Sequence, residues 1–561
     1  MADDKVAAFQ KKLADIHREG EEREAQHLAQ SMGLSYLDLR TIPIAIEAVK
    51  LIPEETAKKG KMIAVQLKAH ELAVAVVDPK DPVVVETVAM LGHEHYTVKL
   101  FVTSLSGVLQ SWRFYQFVSK KGAGLTDVIA IADERYDALA AKFVNLESVS
   151  GVFAEIDYEN FSVIEVMETM LVGALGNRAS DVHFEAGEAM TTIRYRVDGV
   201  LHTIFDKLPK RNYEALLSRI KLLSELKINV KTEPQDGRFA IAFKEKEIEM
   251  RVSIIPSEFG ETIVMRILDP ASIQVTLEQI GLRADDRMII DHALEKPNGL
   301  ILNTGPTGSG KTTTLYAFLR HVNSPEVKII TVEDPIEYHL DGVEQTQTNT
   351  EAGYTFASGL RSILRQDPDV ILVGEIRDQE TADIALQAAL TGHVVFSTLH
   401  TNDAVGAIPR LLDLDVKAAT IGPALSLVIA QRLVRKLCAH CRAPQEINEE
   451  LMKKISVFLN ALPVRVEKKS YEKPIMHKPV GCASCSGIGY RGRIGVFEFF
   501  TITNEIQEAI LKGTSPLELR TFARNQGMVT MQQDGILKVI QGETTLEEVE
   551  DATGPLEWLS P

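Results

Sequence analysis

Residues 299–322, GLILNTGPTGSGKTTTLYAFLRHV, constrain this chain more than any other stretch. An apolar run, a glycine-rich loop and an amphipathic run follow one another without a gap, which predicts a strand, a phosphate-cradling turn and a helix. Gly305 to Thr312 satisfy GxxxxGK[ST] in full. Gly305, Gly308 and Gly310 allow backbone conformations that a side chain would block, so successive amide N–H groups can converge on phosphate oxygens, helped by the positive end of the helix. Lys311 supplies a point charge for the β and γ phosphates, and the Thr312 hydroxyl suits a Mg²⁺ shell. The expected nucleotide contacts are therefore Gly305, Pro306, Thr307, Gly308, Ser309, Gly310, Lys311, Thr312 and Thr313. Residues 274–435 alternate apolar runs with helical stretches, as a parallel α/β sheet with helical crossovers requires.

Three more apolar runs in that region end in polar groups, at the edge where open α/β sheets bind ligands. KIITVEDPIEYHL delivers Glu333, Asp334 and Glu337, and VILVGEIRD delivers Glu375. One carboxylate can hold a metal through water and another can orient the attacking water, because phosphoanhydride hydrolysis needs positioning and charge neutralisation. The spacing leaves the division of labour between Glu333 and Glu375 open. HVVFSTLHT ends in Ser397, Thr398, His400 and Thr401 and begins with His393, and two histidines beside a phosphate site suit a γ-phosphate sensor.

A chain of 561 residues exceeds a single core, so several domains are expected. Residues 1–118 read as a small α/β domain, 119–157 as a linker opening with SKKGAG, 158–273 as a second α/β domain, 436–500 as a cysteine-bearing element and 501–561 as a helical end. In TTIRYRVDGVLHTIF, alternation puts Ile193, Tyr195 and Val197 on one face and Arg194 and Arg196 on the other, with Asp198-Gly199 as a hairpin turn. Arg238, Arg251 and Arg266 repeat that hairpin logic, and a solvated strand face is the plain reading of all these arginines. The net charge of −17 argues against nucleic acid as a partner. No secretory leader and no membrane-length apolar run is evident, so a cytoplasmic protein is expected. In that reducing setting the four cysteines, paired as Cys438/Cys441 and Cys482/Cys485, read as metal ligands or a redox group rather than as disulfides.

These stretches resemble, in order and spacing, the Walker A, Asp box, Walker B and His box of the secretion ATPases that drive type II secretion and type IV pilus assembly. Residues 178–205 (RASDVHFE, then RYRVDGVL) are similar to that family's second N-terminal domain, and the resemblance covers residues 158–561. It implies a RecA-like P-loop NTPase core that hydrolyses ATP with Mg²⁺ in a homo-hexameric ring, behind a PAS-like α/β domain that sends arginines to the nucleotide. Arg194, Arg196 and Arg219 thereby become candidate phosphate contacts. Domain motion about residues 270–280 would turn hydrolysis into work on an inner-membrane platform protein, feeding pilin or pseudopilin subunits into a fibre, so the chain would sit peripherally on the cytoplasmic face.

For the cysteines the resemblance implies a closed tetrahedral zinc site of structural type, and this element with the following GYRGRIGVFEFF marks an assembly motor rather than a retraction motor. Residues 1–118 lack the RLG-type repeats with which pilus-extension members bind cyclic di-GMP. Cyclic di-GMP is therefore not expected there, and docking of a platform partner is. A nucleic-acid translocase would need a basic tract, and a non-hydrolysing scaffold would lack Lys311, Glu333 or Glu375. Type II secretion and pilus extension are not separated.

Overall fold

Strands buried on both faces read as nearly continuous apolar runs, and the strands of the nucleotide region do: Gly299–Thr304, Ile329–Glu333 and Val370–Val373 are buried at every residue, with polar residues chiefly at the ends that face the site. The computed structural model describes residues 18, 20–39, 42, 44–68, 70–93, 96–117, 128–269 and 275–557. One seven-stranded sheet runs Glu344–Gln347, Ile329–Glu333, Val370–Val373, Val394–Leu399, Gly299–Thr304, Leu425–Leu437, Tyr490–Thr501. Its first six strands are parallel and the last is antiparallel. Alternate residues serve two cores. Leu300, Leu302, Ile330 and Val332 pack with the helix Gln379–Leu390 on one face, and Ile301, Ile329 and Phe396 pack with the helix Lys311–Val322 on the other.

Two expected boundaries fall inside this unit. The strand Leu425–Leu437 runs past residue 435 and pairs with Tyr490–Thr501, so the cysteine element is an insertion between paired strands. Ile506, Ile510 and Leu519, expected in a separate helical end, belong to the same core as the sheet. Antiparallel closure across a long insertion leaves no local mark in sequence.

A second seven-stranded sheet runs Val128–Ala130, Gln235–Phe243, Lys246–Ser257, Gly260–Leu268, Ala179–Ala186, Met190–Val197, Val200–Pro209. The predicted alternation holds, with Ile193, Tyr195 and Val197 buried and Arg194 and Arg196 half-exposed. Asp198 and Gly199 make the turn at positive φ (48° and 92°). The expected linker 119–157 requires correction. Val128–Ala130 is an edge strand of this sheet, and Phe143, Val149 and Phe153 are buried in its core. Their apolar face is diluted by acids, which made the stretch look solvated. Residues 118–127, and 270–274 of the expected hinge, lie outside the described residues.

The N-terminal sheet has the order Ser35–Tyr36, Thr97–Val102, Glu71–Val76, Met62–Lys68, and its core draws on residues 37–115. The chain is thus α/β and multidomain, as expected.

Candidate nucleotide site and tetracysteine centre

The P-loop glycines serve two different needs. Gly305, Gly308 and Gly310 all have positive φ (149°, 80° and 87°). A Cβ on Gly305 would also meet the Gln431 carbonyl oxygen at 2.5 Å, and one on Gly310 would meet Gln431 Nε2 at 2.9 Å, whereas Gly308 faces open space. Two of the three glycines therefore let the loop lie against the neighbouring strand. Gln431 completes that support, its Oε1 accepting from Asn303 Nδ2 at 2.9 Å and Thr314 Oγ1 at 2.8 Å. Sequence reasoning passed over Gln431, although a glutamine inside the apolar run LSLVIAQRLV was a signal. Ser309 Oγ is buried without a hydrogen-bond partner.

Lys311 folds back on its own loop, with Nζ donating to the carbonyls of Gly305 (2.8 Å) and Pro306 (3.1 Å). Burial pushes its pKa down, and Glu375 opposes that shift. Thr312 and Thr313 are half-buried in the first turn of the helix. The Glu375 carboxylate is ion-paired with Arg377 at 2.5 Å and lies 3.6 Å from His400 Nε2. Partial burial, then Lys311 nearby, lowers the His400 pKa below the ordinary imidazole value, so the ring is neutral at neutral pH. Lys311, Glu375 and His400 are thus brought together.

Glu333 sits differently. It is 3% exposed and accepts from Thr331 Oγ1 (2.6 Å), Gln345 Nε2 (3.1 Å) and Tyr316 Oη. Burial raises its pKa although those hydrogen bonds oppose the rise. Glu337 pairs with Arg251 of the preceding domain at 3.6 Å. His393 does not join the site. Its Nδ1 lies 3.0 Å from the Ala388 carbonyl and its own carbonyl accepts from Gly299 N–H, at the opposite end of the sheet from the P-loop. A strand that starts and ends in histidine puts the two at opposite edges.

Two of the three expected arginines are held by carboxylates of their own sheet. Arg194 Nη1 bonds Glu185 at 2.9 Å, and Arg196 lies 3.7 Å from Asp181 and bonds the Gly199 carbonyl at 2.9 Å. Arg219 stands half-buried on the helix Lys210–Leu223. None of the three lines the cleft of about 300 Å³ beside Pro306–Ser309. That cleft is closed by the Asp198–Val200 turn, by Arg432, Arg435 and Arg493, and by the helix Leu546–Thr553. Asp198 fastens the turn by accepting from Gly492 N–H at 3.0 Å. Arg435 is bound by Glu548 and lies over the Tyr490 ring at 4.2 Å. These three arginines were missed because they stand on strands distant in sequence.

The cysteines converge. The four Sγ atoms lie within 4.8 Å of one another, with Cys438–Cys482, Cys441–Cys485 and Cys482–Cys485 at 3.9, 3.8 and 3.8 Å. A disulfide needs about 2.05 Å. Four thiolates bound to Zn²⁺ at about 2.3 Å stand about 3.8 Å apart along the edges of a tetrahedron. Backbone N–H groups of Gly481, Cys482 and Gly489 point at two of these sulfurs from 3.2–3.3 Å, as thiolate acceptors require. The set fits a closed zinc site.

Residues 157–551 match the family described as type II/IV secretion system protein, and residues 32–111 match the MshEN domain. The chain is 47% identical over 389 residues, 69% of its length and 75% of the relative's, to type II secretion system protein E of Pectobacterium carotovorum subsp. carotovorum. It is 35% identical over 538 residues, 95% and 92% of the two lengths, to type IV pilus assembly ATPase PilB of Myxococcus xanthus. The solved structure of the Legionella pneumophila ATPase DotB covers 71% of this chain and 97% of its own, at a TM-score of 0.51 and 24% identity, a likeness of fold that bears out the RecA-like core. One expectation is corrected. Cyclic di-GMP was set aside because a repeat was missing, and the MshEN match removes that ground.

Proposed function

The chain belongs to the type II/IV secretion system protein family, and from that premise we propose that it is a Mg²⁺-dependent ATPase whose hydrolysis cycle drives assembly of a pilin or pseudopilin fibre. The convergence of Lys311, Glu375 and His400 beside the P-loop carries the catalytic part of this reading. ATP phosphates would take Lys311 Nζ away from the carbonyls of Gly305 and Pro306, and the loop N–H groups would receive the β phosphate. The Thr312 hydroxyl, with Glu375 through water, would hold Mg²⁺, which when bound neutralises phosphate charge. Glu375 orients the attacking water, because it faces Lys311 beside a neutral histidine. Glu333, held by three hydrogen bonds, positions Tyr316 and the helix behind the P-loop.

Arg194, Arg196 and Arg219 reach ATP only on domain closure or from a neighbour in a homo-hexameric ring, since none lines the cleft of its own chain. The four cysteines hold a structural zinc that fastens the insertion. Among the described residues no helix is long and apolar enough to cross a membrane, and the work is done on an inner-membrane platform protein from its cytoplasmic side.

The test is Mg²⁺-dependent ATP hydrolysis by the full chain. Lys311→Ala is expected to lower turnover by about a hundredfold or more, the scale set by losing a charge that stabilises the transition state. Near-normal turnover in a clean preparation of that variant would falsify the site.

A further inference from the structure

Ile228 belongs to the middle domain by sequence and to the N-terminal domain by packing. It lies in the loop between the helix Lys210–Leu223 and the strand Gln235–Phe243, yet its side chain is buried in the core built from residues 37–115. Leu222, at the end of that helix, packs against the same core. Among the described residues these two are the only members of that apolar cluster from outside the N-terminal domain. Beside Ile228, Asn229 Nδ2 donates to the Leu39 carbonyl at 3.4 Å and to that of Ile42.

The loop that presents Ile228 is stiff. Lys221, 1% exposed, pairs with buried Glu261 at 2.5 Å and donates to the carbonyls of Val230 (2.8 Å) and Lys227 (3.4 Å). Gln235 closes the loop from the other side, accepting from Lys227 N–H at 2.8 Å and donating to Val230 O at 2.9 Å. A Cβ on Gly237 would meet the Ser224 carbonyl at 2.4 Å, so the strand lies hard against the helix end. Leu226 packs into the middle core while Ile228 enters the N-terminal one. The helix beneath carries Arg219, and near its start Glu214 lies within electrostatic reach of Arg113 of the N-terminal domain.

We infer that residues 226–230 are a pin that seats the N-terminal domain on the middle domain, and that seating or unseating it moves the Arg219 helix and so sets ATP turnover. Two apolar side chains make a small joint beside the roughly 600–1,500 Å² of ordinary interdomain interfaces, which makes the seating reversible. Packed elements move as rigid bodies, so displacement of a stiff loop carries its helix along. The turnover half rests on the ATPase reading above.

Hydrogen exchange of the full chain without nucleotide, together with ATP turnover, tests both halves. Ile228→Asp puts a carboxylate where an apolar core must receive it. It is expected to speed exchange about tenfold or more in peptides containing Leu39 or Ile228, because the local opening free energy falls, while Gly299–Thr304 keeps its protection. Turnover is expected to change by at least about threefold with it, and Ile228→Leu is expected to match the wild type in both. Asn229→Ala, a milder change outside the core, is expected to act in the same direction. Unaltered exchange at Leu39 in both disruptive variants overturns the pin, and faster exchange with unaltered turnover overturns the coupling. A wild-type chain without hydrolysis would sink the ATPase reading, while the exchange arm would still decide the pin.

Discussion

At the residue scale, the P-loop of this chain is set by its neighbour as much as by its own glycines. Gln431 touches the space above Gly305 and Gly310 and ties Asn303 to Thr314, so one side chain joins the strand before the loop to the helix after it. Gln431→Leu keeps the volume and removes the acceptor, leaving the Asn303 amide and the Thr314 hydroxyl buried without their partner. The expected result is a loss of about 1–3 kcal/mol of stability, the penalty for stranded buried donors. Because the loop shifts, KM for ATP should also rise, which steady-state kinetics beside thermal unfolding would detect. An unchanged KM at reduced stability would leave Gln431 as packing only. GxxxxGK[ST] does not include this residue, and its place in the apolar run LSLVIAQRLV marks it as unusual without saying what it touches.

At the element scale, buried charge fastens the insertion and the C-terminal helices to the nucleotide sheet. Asp534, fully buried on the helix Met531–Ile540, accepts from Arg283, from Lys538 at 2.6 Å and from Phe497 N–H at 2.8 Å. Arg465, in the insertion, joins through Asp286 at 2.8 Å. Asp534→Ala would leave buried Lys538 without its carboxylate and take from Arg283 one of three, Asp285 and Asp286 remaining, and a loss of about 3–5 kcal/mol is expected by denaturant unfolding. A loss under 1 kcal/mol would mean water reaches the cluster. The proposed zinc of the tetracysteine centre would be the insertion's other tie. Metal analysis of reduced protein should find one zinc per chain, and a chelator should lower the unfolding temperature; protein free of zinc yet equally stable would remove the structural role. The pairing of Leu425–Leu437 with Tyr490–Thr501 brings the ends of this long excursion back into register.

At the scale of the whole molecule, the cleft beside the P-loop is built by five stretches far apart in sequence, the P-loop among them, and Arg194 and Arg196, expected there, are turned to their own sheet. If closure or a neighbouring subunit delivers them, turnover per chain should rise with protein concentration until rings are complete. Arg196→Ala should then lower the plateau without lowering the unfolding temperature. Turnover independent of concentration, with Arg196→Ala fully active, would assign hydrolysis to the single chain and return Arg196 to a surface role. The P-loop, the alternation of Met190–Val197, the Asp198-Gly199 turn and the paired cysteines were legible in the sequence because each depends on backbone preference or ligand chemistry within a few residues. Gln431 beneath the loop, Arg432, Arg435 and Arg493 in the cleft, the edge strand Val128–Ala130 and the seat of Ile228 in a foreign core were decided by tertiary structure alone. Their partners are brought together by sheet order and core packing, and no periodicity along a chain records which distant strand will lie beside which.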